Sequence, residues 1–288
     1  MKVPPEIVRA APKRASAAVT SARHLNRGSA ILAGSVLLDS AIEHYRGGFY
    51  NPAMMTPIIT SLAALGSSIH GHSDTRHGRH EPRHFVFLLT ALSGAAGTGF
   101  HLYNVLKKPG GFRWQNLFYS GPLGAPAAIA LSGFFGMLAE RVRDAPPRKT
   151  PKLAGINAGR ALCLAVAGGL LGTTAEAGLL HFRGSFQNPA MYAPVTLPPV
   201  GAALLVKSAL GRSAGTHWLA RLWLGALGVM GIAGAGFHIY GVSRAMGGWR
   251  NWRQNMVDGP PIPAPPSFTG LALAGLAALR LLRAHPDD

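Results

Sequence analysis

Charge is scarce in this chain of 288 residues. Only 14% of its residues are charged, and 28 Lys and Arg face just 11 Asp and Glu, leaving a formal net charge of +17. Soluble domains carry about 25% charged residues, and a nucleic-acid-binding domain spreads its Lys and Arg over a solvated face. A disordered basic tail is excluded too, because 48% of the residues are hydrophobic. Cysteine is almost missing. Cys163 stands alone in the apolar run ALCLAVAGG, so the chain holds no intrachain disulfide and no cysteine-based zinc or iron–sulfur site. Also absent are a Walker loop, a strand-associated dinucleotide glycine pattern, a Cys-x-x-Cys-His haem attachment and a nucleophile–base constellation.

What is present is apolar sequence in membrane-length runs. Eight windows approach the 20 or so residues that cross the hydrocarbon core: 30–46, 52–70, 85–106, 120–139, 160–182, 189–209, 219–242 and 262–283. The first is the weakest, since Asp39 and Glu43 fall inside it. Asn51-Pro52 and Asn188-Pro189 mark helix starts, with Asn as the cap and Pro in the first turn. Placing the N-terminus inside puts 20 of the 28 Lys and Arg in inner segments and 8 in outer ones. The basic surplus is then topology and lipid-headgroup attraction, with both termini cytoplasmic in a cell inner membrane. Eight helices leave no room for a soluble catalytic domain. The chain reads as a non-catalytic membrane subunit whose partner is the lipid bilayer, with no role for nucleic acid.

The chain also repeats itself. His44-Tyr-Arg-Gly-Gly-Phe-Tyr-Asn-Pro-Ala-Met54 and His181-Phe-Arg-Gly-Ser-Phe-Gln-Asn-Pro-Ala-Met191 agree at 8 of 11 positions, and Gly97–Tyr103 and Gly234–Tyr240 agree at 5 of 7. Both pairs are offset by 137 residues; after a two-residue insertion, Gln115-Asn116 and Ala125-Pro126 match Gln254-Asn255 and Ala264-Pro265 at 139. The expected fold is an all-α integral membrane protein, a tandem repeat of two four-helix units. An even helix count makes the units parallel, about a pseudo-two-fold axis along the membrane normal. The expected divisions are a basic cytoplasmic tail over 1–28, repeat one over 29–145, a linker over 146–158 and repeat two over 159–288.

Retained positions cluster at the outer ends of the first and third helix of each repeat. His44 pairs with His181 and His101 with His238; at about 1.5 Å per residue, His44 and His101 fall near a common depth on parallel helices. Two imidazoles so placed suit axial ligation of a b-type haem, one in each repeat. In that reading Arg46 and Arg183 reach propionates, and Gly97, Gly99, Gly234 and Gly236 clear space for a flat macrocycle. The same four histidines also suit a non-haem metal, or plain helix-packing hydrogen bonds. Met54 and Met191 offer soft sulfur but read better as packing.

Asp39 and Glu176 are matched acids five residues before the first histidine of each repeat, and intramembrane acids mark proton or ion paths. The five histidines of the inner loop 70–84 read as a polar connector, because arginines interleave them. GGFRWQN and GGWRNWRQN, the outer loops, suit interfacial anchoring or a redox partner. Three functions follow: a haem b electron-transfer subunit working with an outer-side redox partner or quinone, a proton- or cation-coupled transporter or channel using Asp39 and Glu176, or a structural anchor for a partner.

Overall fold

A computed structural model describes residues 17–74, 76, 80–145, 149–211 and 217–284. Ten α-helices dominate it: α1 (Ala17–Arg46), α2 (Thr56–Ser73), α3 (Glu81–Leu106), α4 (Trp114–Phe118), α5 (Gly124–Asp144), α6 (Ala158–Arg183), α7 (Ala193–Leu210), α8 (His217–Arg244), α9 (Trp252–Val257) and α10 (Pro266–Ala284). A two-residue hairpin, β1 (Lys152–Leu153) with β2 (Ile156–Asn157), precedes α6. Among the described residues, seven helices are long and apolar enough to cross a membrane: α2, α3, α5, α6, α7, α8 and α10, with α2 and α7 counted from their preceding prolines. The protein is all-α with multi-pass membrane character.

The one long helix outside that set among the described residues is α1, and its position explains why. Arg23, His24, Asn26, Arg27, Asp39 and Glu43 lower its hydropathy, yet it is the most enclosed of the early helices. It packs against α2, α5 and α10, so its contacts are protein rather than lipid and small polar residues are favoured. Ser29 Oγ donates to the Ser132 carbonyl at 2.8 Å, Ser132 Oγ donates back to the Ser29 carbonyl at 2.9 Å, and Ser68 Oγ reaches Ser29 Oγ at 2.9 Å. Higher up, Ser35 donates to the Pro263 carbonyl and lies 3.0 Å from Ser267 Oγ. The helix already runs from Ala17, the first described residue, inside the segment expected as a basic tail, and Val19, Ala22 and Leu25 are buried there.

Capping follows the expected pattern with one refinement. Asn51 Oδ1 accepts from Ala53 N and Asn188 Oδ1 from Ala190 N, each at 2.9 Å. Each asparagine caps a single 3₁₀ turn, Pro52–Met55 or Pro189–Tyr192, that leads into α2 or α7. The fourth and eighth spans begin later than expected, at Gly124 and Pro266, because the chain is non-helical over 119–123 and 258–265, after the short helices α4 and α9.

Packing contacts recur at the repeat offsets. A Cβ on Gly94 would fall 2.2 Å from Ala130 N, and one on Gly231 would fall 2.4 Å from Thr269 Oγ1, so these glycines let α3 onto α5 and α8 onto α10. Gly97 meets Pro126 and Gly234 meets Pro265 in the same way. Gly97 and Gly234 thus serve helix packing, while Gly99 and Gly236 face open space. Of the glycines at 225, 228 and 231, only the last two approach α10, since three-residue spacing drifts around the helix.

The contact between halves is uneven. Along α1 and α10, a Cβ on Gly28 would lie 2.7 Å from the Gly270 carbonyl, so the two helices pack backbone to backbone. Ala165 and Leu131 occupy the matched positions in α6 and α5, and those helices meet over a much shorter stretch.

Candidate functional site

The four matched histidines, all half-buried, stand near the C-terminal ends of α1, α3, α6 and α8, the end named outer after the expected orientation, with the opposite end inner. His44 Nδ1 donates to the Met54 carbonyl at 2.7 Å and His181 Nδ1 to the Met191 carbonyl at 2.8 Å. His238 Nδ1 donates to the Pro261 carbonyl at 2.7 Å, and His101 bonds the backbone of Pro122, the residue matched to Pro261. A carbonyl only accepts, so in His44, His181 and His238 the bond fixes the proton on Nδ1 and leaves the Nε2 lone pair available. Metal-ligating histidines are held in this way.

The loop that supplies the Met carbonyl is built for the purpose. Gly48 and Phe49 both take positive φ, at 72° and 47°, and their matches Ser185 and Phe186 do so at 56° and 45°. Positive φ is costly for residues other than glycine, and such strain gathers at functional positions. The bend folds each Phe edge-on against its histidine, with ring centroids 6.2 Å apart for His44–Phe49 and 6.0 Å for His181–Phe186. Met54 and Met191 supply carbonyls while their methyl groups lie on Gly47 and Gly184, so their sulfurs serve packing.

His44 and His101 lie within electrostatic reach of each other, as do His181 and His238. The four do not converge: among the described residues, no three His, Cys, Asp or Glu side chains gather as a metal-ligating set. That arrangement speaks against one four-histidine metal centre and leaves two separate pairs.

The matched acids meet across the halves. Asp39 is an electrostatic neighbour of Glu176, Glu43 and Arg46, while Glu176 Oε2 accepts from Gly124 N at 3.3 Å and has Arg183 nearby. Arg46 Nη2 binds Glu43 Oε2 at 2.5 Å and its Nη1 reaches the Val257 carbonyl; Arg183 lies over the Phe118 ring at 5.0 Å. Each half thus clasps the other's first long helix at the outer end. The short helix α9 sits on α1, with Arg253 bonding the Tyr45 hydroxyl, and α4 sits on α6, with Trp114 against Phe182 at 6.0 Å. These outer aromatic loops have an internal task that the sequence reading did not foresee.

Two further features escaped that reading. Asn116 Nδ2 donates to the carbonyls of Pro109 and Gly111, and Asn255 Nδ2 to those of Met246 and Gly248. These matched staples shape the outer loops, and the repeated Gln-Asn was their only signal. The second feature is a buried ion network at the inner end of the first half. Arg83 and Arg143 both bind Glu140 Oε2, at 2.7 Å from Nη2 and Nη1 respectively, and Arg83 Nη1 holds Asp74 Oδ2 at 3.1 Å. His80 lies 3.1 Å from Asp74 and 3.0 Å from Asp144. Arg143 is fully buried, although sequence alone counts it with the solvated inner charges. Thus His80 in the expected polar connector belongs to an ionic core, while His77 falls outside the described residues.

No known protein family, curated protein or solved structure matches the chain.

Proposed function

We propose that the protein is a membrane electron-transfer subunit holding two b-type haems, one on His44 and His101 and one on His181 and His238. In this reading α1 is the eighth spanning helix, and two parallel four-helix repeats lie in an inner membrane with both termini cytoplasmic. The observation that carries it is the matched anchoring of the four imidazoles on backbone carbonyls, which leaves Nε2 of His44, His181 and His238 as a prepared ligand. Haem iron would supply one-electron transfer between ferric and ferrous states. The chain's own part is to hold each imidazole in one tautomer, to exclude water with apolar helices, and to bring positive charge near the outer surface through Arg46 and Arg183. An outer-side redox partner or a quinone would complete the path.

The full-length protein, expressed with haem in excess and purified, tests this by its absorption spectrum. A reduced-minus-oxidised band in the b-type alpha region, with two haems per chain in the pyridine assay, supports the reading; no such band overturns it. The approach of Asp39 to Glu176 at the junction of the halves favours a second reading, a proton- or cation-coupled carrier. Flux in liposomes that Asp39→Asn with Glu176→Gln abolishes, in a protein free of haem, would put that reading first.

A further inference from the structure

At the inner end of the molecule, α1, α2 and α10 bring together five basic side chains. Arg23, His24 and Arg27 come from α1, His72 from the last turn of α2 and Arg280 from α10. Arg27 Nη2 lies 3.4 Å from His72 Nε2. The electrostatic neighbours of His24 are Arg280, Arg27 and His72, and those of His72 are Arg27, Arg23 and Arg143. No carboxylate is among them. Of the described acids at this end, Asp74 is engaged with Arg76, Arg83 and His80, Glu140 through Oε2 with Arg83 and Arg143, and Asp144 with His80.

The guanidinium groups of Arg23, Arg27 and Arg280 are given no carboxylate partner by these neighbours, and the cluster carries a second sign of something unmet. Arg23 Nε and His24 Nδ1 are buried with no hydrogen-bond partner among the described residues. Buried polar groups in folded proteins are rarely left so. An anion with several acceptor oxygens supplies both the missing charge and the missing acceptors, and guanidinium groups match phosphate in geometry. Arg27 and Arg280 are exposed at the rim, so the cluster opens to the surrounding headgroup layer.

We propose that Arg23, His24, Arg27, His72 and Arg280 form a phosphate-binding site for the headgroup of one anionic glycerophospholipid of the inner leaflet. Its position fits, on the side where most Lys and Arg gather. The site belongs to one half alone. Ala161, Leu164 and Ala209 occupy the positions matched to His24, Arg27 and His72, and only Arg160 and Arg141 remain there. Each chain therefore takes one such lipid. This inference stands apart from the haem assignment.

Full-length protein in nanodiscs of phosphatidylcholine, with and without phosphatidylglycerol, tests it. The anionic lipid should raise the melting temperature by about 2–4 °C, and native mass spectrometry should find one phosphatidylglycerol retained per chain. Arg27→Gln with Arg280→Gln should lose both effects, while Arg141→Gln with Arg160→Gln should keep them. Arg27→Gln alone gives the same comparison if the double variant does not fold. An equal rise from inorganic phosphate in phosphatidylcholine discs assigns the site to a soluble anion and overturns the lipid. No retained anionic lipid on the unaltered protein, or an unchanged effect in the Arg27 variants, overturns the site itself.

Discussion

The two halves agree at the outer end and part company at the inner one. Outside, every element of the histidine loops recurs, down to the paired left-handed residues and the carbonyls that receive the imidazole protons. Inside, the first half buries Arg83, Glu140 and Arg143 as an ion network, where the second half has Ala220, Leu279 and Leu282 at the matched positions. The same backbone therefore tolerates either an ionic or an apolar plug. Whatever both copies retain is not demanded by packing of the inner core, and that turns attention to the outer histidines.

The comparison breaks most completely at the haem pairs. If the halves are equivalent, His101→Ala removes one of two haems, His238→Ala removes the other, and the double variant removes both. Pyridine haemochrome content per chain gives the count. Unequal loss, with one histidine dispensable, would show that the halves hold different ligands behind similar loops.

Next in size is the inner plug. Glu140→Leu leaves two buried guanidinium groups without their shared carboxylate and should cost roughly 3–5 kcal/mol, as breaking one side of a buried pair does. Grafting the second half's residues together, as Arg83→Ala, Glu140→Leu and Arg143→Leu, should recover most of that loss. Thermal unfolding in one detergent compares the three proteins. Failure of the graft to recover would mean that the ion network specifies the inner structure and does more than fill it.

A smaller change tests where the halves should respond alike. Gly94→Ala and Gly231→Ala each push a methyl group into the facing helix, and each should cost about 1–3 kcal/mol by overpacking. Similar falls in melting temperature are expected from both, because the close approach of α3 to α5 is repeated by α8 on α10.

How far these features were legible follows the same divide. The repeat, the asparagine caps and the histidine pairs stood in the sequence because they are written twice, and two copies of a constraint can be compared. The ion network is written once. Arg143 beside Arg141 looks like a solvated basic end, and only packing of α1 and α2 over that face makes it core. For α1, Asp39 and Glu43 marked the weakest window, and α1 is the long helix that falls outside the seven apolar ones; what composition did not show is how far protein wraps it. The role of Gly97 in packing was hidden because small residues serve close helices and flat ligands equally well.

The mildest effect concerns acid. Burial alone would raise the Asp74 carboxyl, but its hydrogen bonds to Arg76 and Arg83 outweigh that and hold it well below the usual carboxylate range. A carboxyl depressed in the folded state contributes stability that is complete above its unfolded value, about 3.9, and is lost as pH falls toward the folded one. Melting temperature should thus decline below about pH 4 in the unaltered protein and more shallowly in Asp74→Asn. Gly211 takes this place in the second half, so the loss should be local. Hydrogen exchange at low pH is expected to open the inner ends of α2 and α3 before those of α7 and α8. Equal opening in both halves would mean that the network shares its stability across the whole bundle, and that the two inner plugs, unlike in chemistry, act as one.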